Sequence, residues 1–269
     1  MTDSPNPERA PRPERPAALL VGLALLLSLV FILPLAALLA RASNSDWLGG
    51  LAGEPARQAL ALSLTSSALA TGLAVLLGTP LAYGLARWQF RGRRLLQLLV
   101  DLPIVLPPSV AGLSLLLAFG RRGVFGSALG ELGVSLPFTF AAVVLAQLFV
   151  AGPLYVRSAR AGFRGVDSQL EEAARTEGAS DWQMFRYVMV PEIRGAILSG
   201  LVLCWARALG EFGATILFAG NLPGRTQTMP LAIYLALESQ PETALGLAVV
   251  LLGASGVALW LVRLWGGED

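Results

Sequence analysis

SQLEEAARTEGASDWQMFRYVMVP, residues 168–191, is the one polar island in the second half of an otherwise very apolar chain. Ser168 followed three residues later by Glu171 has the spacing of a capping box, in which hydroxyl and carboxylate each satisfy an orphaned backbone N–H. A short helix is expected to start near Gln169, with Gly178 as its left-handed stop. Ser180 and Gln183 repeat the start signal, and Asp181 falls in the first turn, where the helix dipole favours a carboxylate. The second helix is expected to end near Pro191, because proline lacks the N–H donor and disfavours helical geometry in the residue before it. The local forecast is a helix, a sharp glycine turn and a second helix: a rigid knuckle presented to water.

Around this knuckle the composition is that of a membrane protein. Of 269 residues, 55% are hydrophobic and 14% charged, against roughly 25% charged in a soluble domain. There is no histidine, and every basic residue is an arginine. Without histidine, His-dependent triads, His-ligated zinc and histidine proton relays are excluded. Without lysine there is no Walker A lysine, so this chain is no P-loop ATPase and ATP-driven work needs a second polypeptide. The single cysteine, Cys204, excludes an intrachain disulfide. The chain offers no nucleophile–base or metal constellation at recognisable spacing, so it reads as a non-enzyme with no cofactor and no metal.

The order of segments follows from hydropathy. Residues 1–16, rich in Pro, Arg and Glu, read as a disordered tail. Six apolar runs follow, at about 17–40, 58–85, 95–119, 137–156, 196–219 and 244–264, each sized to cross about 30 Å of hydrocarbon. The first contains Pro34, an expected kink. The second carries Ser63, Ser67 and Thr71 at four-residue spacing, a small-residue stripe suited to close packing. The third is interrupted by Pro103 and Pro107-Pro108, and broken spans are tolerated where they face protein or a water-filled path. That interruption is either a packing kink or a pathway element, and Asp101 just before it is placed to cap the restarted helix. Residues 120–136 form a glycine-rich loop. Between the last two spans lies the polar loop GNLPGRTQTMP, residues 220–230, followed by a short re-entrant or interfacial helix at 231–237.

Arginines set the orientation. With the N-terminus inside, the cytoplasmic segments hold Arg9, Arg12, Arg15, Arg87, Arg91, Arg93, Arg94, Arg157, Arg160, Arg164, Arg175, Arg186, Arg194 and Arg263. The outer loops hold Arg41, Arg57, Arg121, Arg122 and Arg225. The bias puts both termini and the knuckle in the cytoplasm, and the RWQFRGRR cluster at 87–94 is a membrane anchor rather than a nucleic-acid site.

The fifth run adds a small-residue stripe, Ala206, Gly210 and Ala214, beside Arg207 and Glu211. Charges inside a membrane are costly and usually face the bundle interior or a cavity. Arg before Glu is the weaker i,i+4 order. The pair is either a self-neutralising internal ion pair or a gate element that an anion can sense.

Residues carrying a family resemblance are now in view. Glu172-Ala173-Ala174, then Gly178, then Val188-x-Val190-Pro191 resembles the EAA loop of bacterial ABC-importer permeases, with valines where that family more often has isoleucine and leucine. ARALGEFGATILFAGNLPGRTQTMPLAIY (206–234) and LPIVLPPSVAGLSLL (102–116) resemble the molybdate permeases of that group, and the likeness runs from about Gln58 to the C-terminus. Sulfate and thiosulfate permeases share much of the pattern.

The resemblance implies an all-α fold, a six-helix bundle of the type I ABC-importer (MetI-like) kind spanning residues 17–269, with its EAA coupling loop at 166–191. It implies a homodimer in membrane lipid, two ABC ATPase subunits at the cytoplasmic face and an extracytoplasmic oxyanion-binding protein. Glu171, Glu172, Ala173, Ala174, Gly178, Ser180 and Asp181 would couple to the ATPase. Arg207, Glu211, Pro107, Pro108, Asn221, Arg225 and Thr228 would line the path or gate. The expected cargo is molybdate or tungstate, with a sulfate or thiosulfate importer as the alternative. A secondary anion transporter is the rival class, but such carriers show internal repeats and midplane carboxylates or histidines. Here no repeat is visible, and the only candidates are Asp101 and Glu211.

Overall fold

A computed structural model of the chain describes residues 18–266; the expected disordered tail, residues 1–16, lies outside the described residues. Among the described residues every regular element is a helix. The first, α1 (Ala18–Ser43), contains Pro34 and forms a unit of its own that ends at Ser45. The second unit starts at Asp46. It comprises α2 (Trp47–Ala52), α3 (Glu54–Arg87), α4 (Arg93–Val105), α5 (Pro108–Phe119), α6 (Gly126–Glu131) and α7 (Phe140–Gly165). Then come α8 (Ser168–Thr176), α9 (Asp181–Gln183), a π-helical turn (Met184–Met189), α10 (Val190–Glu192) and α11 (Arg194–Leu209). The chain closes with α12 (Gly213–Phe218), α13 (Met229–Ser239) and α14 (Pro241–Gly266).

Helix starts follow local chemistry. Asp46 caps α2 by accepting the Gly49 N–H at 3.0 Å, and Thr139 caps α7 by accepting that of Ala142 at 3.2 Å. Helices α3, α5 and α13 each open with proline in the first turn, where its missing N–H costs nothing.

Among the described residues α1, α3, α7 and α14 are long and apolar enough to cross a membrane alone. The other two expected spans are each interrupted. The third breaks at Leu106, whose extended backbone (ψ 137°) precedes Pro107 and separates α4 from α5. Pro103, by contrast, lies inside α4 without ending it. The fifth stops at Leu209 and resumes at Gly213, so the expected stripe of Ala206, Gly210 and Ala214 is not one helical face: Gly210 is exposed, and Ala208 is buried with Ala214 instead. A bend of 71° at Ile193 also parts α11 from the helical segment Asp181–Glu192 before it. The fourth span runs further than expected, so Arg157, Arg160 and Arg164 belong to the end of α7 rather than to a loop.

α3 and α7 form the spine of the second unit. Ala70, Ala74 and Ala82 on α3 are buried, as are Ala146, Ala151 and Ala159 on α7. A Cβ on Gly78 would lie 3.0 Å from Tyr155 and Val156, the close backbone approach that small residues permit. The Thr79 hydroxyl and Tyr155 phenol share a hydrogen bond of 2.5 Å beside it. Ser63, Ser67 and Thr71 are buried as well. α11 also packs on α7, with Ser158 Oγ donating to the Ala196 carbonyl at 2.8 Å.

Candidate functional site

The knuckle forms, with one change of cap. Asp167, not Ser168, is the N-cap of α8, and its carboxylate accepts the Gln169 N–H at 2.9 Å. The Ser168–Glu171 capping box is therefore absent. A carboxylate one residue earlier takes the cap, and Glu171 is drawn instead to Arg87 at the end of α3, 2.6 Å away. At the other end of α8, Gly178 has φ +83°. The Gly178 N–H donates to the Arg175 carbonyl and the Ala179 N–H to that of Ala174, both at 3.0 Å, which makes a Schellman stop. Ser180 and Gln183 then form the expected reciprocal box.

Past it the helix widens into a π-helical turn just before Pro191, and the Val190 N–H reaches back to the Phe185 carbonyl. A widened turn relieves the clash that a proline ring makes with the preceding helical turn, so the segment continues to Glu192, slightly beyond the expected end. Met184 and Met189 from this turn enter the same buried cluster as Leu85 and Phe163, and Phe185 stacks among Tyr83, Phe163 and Trp182. The knuckle is thus anchored in the bundle on one side. On the other, Glu172, Ala173, Trp182 and Tyr187 are exposed, and Arg175 meets Asp181 in an exposed pair at 3.2 Å.

The second group of predicted residues converges where the two interrupted spans touch. A Cβ on Gly213 would lie 2.5 Å from Pro108 Cβ, and one on Gly112 would lie 2.9 Å from the Ala214 backbone. The two breaks therefore meet with almost no side chain between them. Beside them Arg207 Nη1 pairs with Glu211 Oε2 at 2.7 Å, while Glu211 Oε1 accepts the Ala214 N–H at 2.8 Å. Glu211 is 1% exposed and Arg207 36%. The unfavourable helical order of this pair loses its meaning once the helix is broken: Arg207 lies at the C-terminus of α11 and Glu211 precedes the N-terminus of α12, and both dipoles favour that placement. Pro107, Pro108, Arg207 and Glu211 thus belong to one place in the fold.

Asn221, Arg225 and Thr228 do not join them. The loop from Asn221 folds on itself, the Leu222 carbonyl accepting the N–H groups of Arg225, Thr226 and Gln227 at 2.9–3.1 Å. Thr228 stands just before α13, but its side chain makes no capping hydrogen bond and it is fully buried. The Met229 N–H is already taken by Ser63 Oγ at 2.7 Å, so this helix start is not open to an anion. Arg225 is exposed and borders a cavity of about 530 Å³ with Gln58, Thr65 and Thr139.

Two further ion-pair partners escaped the sequence reading. Asp101 does not cap a restarted helix. It sits within α4 and pairs with Arg160 of α7 at 2.9 Å, with the arginine side chain 11% exposed. Arg87, at the start of the anchor cluster, pairs with Glu171 and also reaches the Val166 carbonyl at 3.3 Å. Both pairs join residues far apart in the chain, and no local spacing signals them. Gln147, the polar member of the fourth span, is fully buried on α7.

A bundle of long and interrupted apolar helices around a docked polar knuckle is the architecture of a membrane transport component. Residues 74–264 match the family of binding-protein-dependent transport system inner membrane components, and the chain belongs to that family. The molybdenum transport system permease protein ModB of Mycobacterium tuberculosis is 44% identical over 218 residues, 80% of this chain and 83% of that one. The chloroplastic sulfate permease 2 of Chlamydomonas reinhardtii is 41% identical over 204 residues, 76% of this chain and 55% of the relative. Among solved structures, a bacterial alginate ABC transporter in complex with its alginate-bound periplasmic protein superposes with a TM-score of 0.71 at 19% identity, covering 92% of both chains. That likeness establishes the ABC-importer permease fold.

Proposed function

We propose that this chain is the non-catalytic membrane subunit of an ATP-driven importer that carries a tetrahedral oxyanion, molybdate or its close mimic tungstate, into the cytoplasm by alternating access. The identity to ModB over most of both chains carries the choice of substrate. The subunit works as a homodimer, with two ABC ATPase subunits below and an extracytoplasmic oxyanion-binding protein above. Both termini lie in the cytoplasm, in keeping with the arginine bias. A separate ATPase is needed because the chain has no lysine for a Walker A motif.

In this reading the exposed side of the knuckle, Glu172, Ala173, Gly178, Ser180 and Asp181, docks on the ATPase, while Ala174, half-buried against the inner cluster, backs that surface. The touching breaks at Pro107-Pro108 and Arg207–Glu211 are the gate. A dianion crossing a low-dielectric wall needs donors and positive potential without a site too tight to leave. Arg207, held by its own carboxylate, supplies such a moderated charge, and Asn221 and Arg225 receive the anion at the outer mouth. A sulfate or thiosulfate importer remains the second reading, favoured by the identity to the chloroplastic sulfate permease.

The test of substrate is uptake of labelled molybdate by the assembled transporter in vesicles. Competition by excess tungstate and not by sulfate is expected. Sulfate uptake without molybdate uptake moves the chain to the second reading.

The test of the knuckle is Gly178→Val. A Cβ there meets nothing within 4 Å, so the penalty is only that of a side chain held at positive φ, about 1–2 kcal/mol. The bundle should fold normally and the ATPase should bind about 5–30-fold more weakly, as read by co-purification and titrated ATP hydrolysis. Wild-type affinity of the variant for the ATPase removes the knuckle from the interface.

A further inference from the structure

Neighbouring residues on a helix point about 100° apart, and on α8 this separates two glutamates that the EAA resemblance groups together. Glu172 is exposed, whereas Glu171 is 18% exposed and turned against Arg87, itself 22% exposed. We propose that Glu171 is not an ATPase contact but the inner half of a strut. In this strut Arg87 is the positioning residue that makes α3 move with the knuckle. This inference rests on the coupling role proposed above.

Arg87 is the last residue of α3 and reaches two other elements at once: the Glu171 carboxylate on α8 and the carbonyl of Val166, which ends α7. It therefore ties the knuckle to both helices of the spine at their shared end. The aromatic cluster beside it supplies contact without direction. Tyr83, one turn back on α3, lies 5.2 Å from Phe185 and 5.4 Å from Phe163, centroid to centroid. Between these rings and the ion pair runs a groove of about 670 Å³, bordered by Tyr83, Arg87, Trp88, Glu171, Trp182 and Phe185. The knuckle thus meets α3 through apolar packing, of the rings and of Met184 and Met189 in the cluster with Leu85, and through this ion pair, with open space between the rings and the pair. Apolar packing can slide at little cost, whereas separating the charges of a half-buried ion pair at 2.6 Å costs Coulomb energy.

α3 is a single helix of 34 residues, about 50 Å long at 1.5 Å per residue. Near its far end Ser63 accepts the Met229 N–H at the start of α13. A displacement of the knuckle delivered to Arg87 is therefore carried along one continuous helix, past the internal Pro80, to the loop that ends in α13. The strut leaves the exposed face of the knuckle untouched, so breaking it should disconnect hydrolysis from transport instead of dislodging the ATPase.

The test uses the reconstituted complex of this chain with its ATPase and binding protein. The variants are Arg87→Gln, Glu171→Gln and the exchange Arg87→Glu/Glu171→Arg. Site-to-site coupling of this kind typically amounts to about 5–150-fold. Each single variant should still co-purify with the ATPase and hydrolyse ATP, while oxyanion taken up per ATP hydrolysed falls at least about fivefold. The exchange should restore a large part of that ratio. Dissociation of the ATPase from Glu171→Gln overturns the proposal in favour of a direct contact, and an unchanged uptake-to-hydrolysis ratio in both single variants overturns it outright. The wild-type complex run in parallel separates the two ideas, because if it takes up no oxyanion it is the transport reading that fails.

Discussion

Arg207→Ala is expected to destabilise the purified protein by about 3–5 kcal/mol, the usual cost of leaving one half of a buried ion pair behind. Glu211 is 1% exposed, and after the change its remaining partner among the described residues is the Ala214 N–H. A carboxylate so placed must either stay charged in an apolar wall or take up a proton, and both cost free energy. The double variant Arg207→Ala/Glu211→Gln should recover most of the loss. The glutamine carbonyl can still accept from Ala214 and cap α12, while no charge is left unpaired. Thermal unfolding in detergent reads this ordering, with Arg207→Ala lowest and the double variant close to wild type. Uptake then tells the two readings of the pair apart. If Arg207 serves the permeating anion, the double variant assembles, binds its ATPase and transports poorly. Wild-type uptake by a well-folded double variant reduces the pair to a structural element.

Much of this architecture is legible in the sequence because it is written in local signals. Four of the apolar runs appear as the single helices α1, α3, α7 and α14, Pro107 breaks the third run, and Ser180 and Gln183 form their box. Pro103, by contrast, does not end α4, and the fifth run breaks without a proline. The cap of α8 was misjudged for a reason of competition. Asp167 and Ser168 are adjacent candidates, and the carboxylate of Asp167 won once Arg87 claimed Glu171. The break at Gly210 has no proline or polar run to signal it: every residue there is apolar or small except the charge pair, whose i,i+4 spacing fits an intact helix equally well.

The residues the sequence hid are those defined by tertiary contact. Asp101 meets Arg160 across 59 positions and Arg87 meets Val166 across 79. The buried state of Thr228 belongs to the same class. A polar loop between spans reads as exposed, and the packing of α13 against α14 and α3, with Ser63 accepting the Met229 N–H, turns it inward.

The second large effect is expected at Gly213. Its missing side chain is what lets the two interrupted spans touch, since a Cβ there would stand 2.5 Å from Pro108 Cβ and 3.3 Å from the Pro108 carbonyl carbon. Pro108 cannot yield by rotating a side chain, because its ring is closed onto the backbone and it is the first residue of α5. One turn further along, a Cβ on Gly112 would stand 2.9 Å from Ala214 Cα and carbonyl oxygen, so the two helices are as closely apposed there and α5 has little room to tilt. Gly213→Val must therefore push α12 away from α5, an overpacking that costs about 1–3 kcal/mol and at times more. It also shifts Glu211, whose hydrogen bond to Ala214 spans the same residues. Gly213→Ala should show the same defect in milder form. The decisive measurement is a double-mutant cycle between Gly213→Ala and Pro108→Gly, which moves the missing Cβ from one side of the contact to the other. For residues in contact the interaction energy is commonly about 0.5–3 kcal/mol, and here it should be favourable, with Pro108→Gly partly rescuing both unfolding temperature and uptake in the Gly213→Ala background. Strict additivity of the two substitutions means that the breaks do not bear on one another, and the gate would then have to lie elsewhere along the spans.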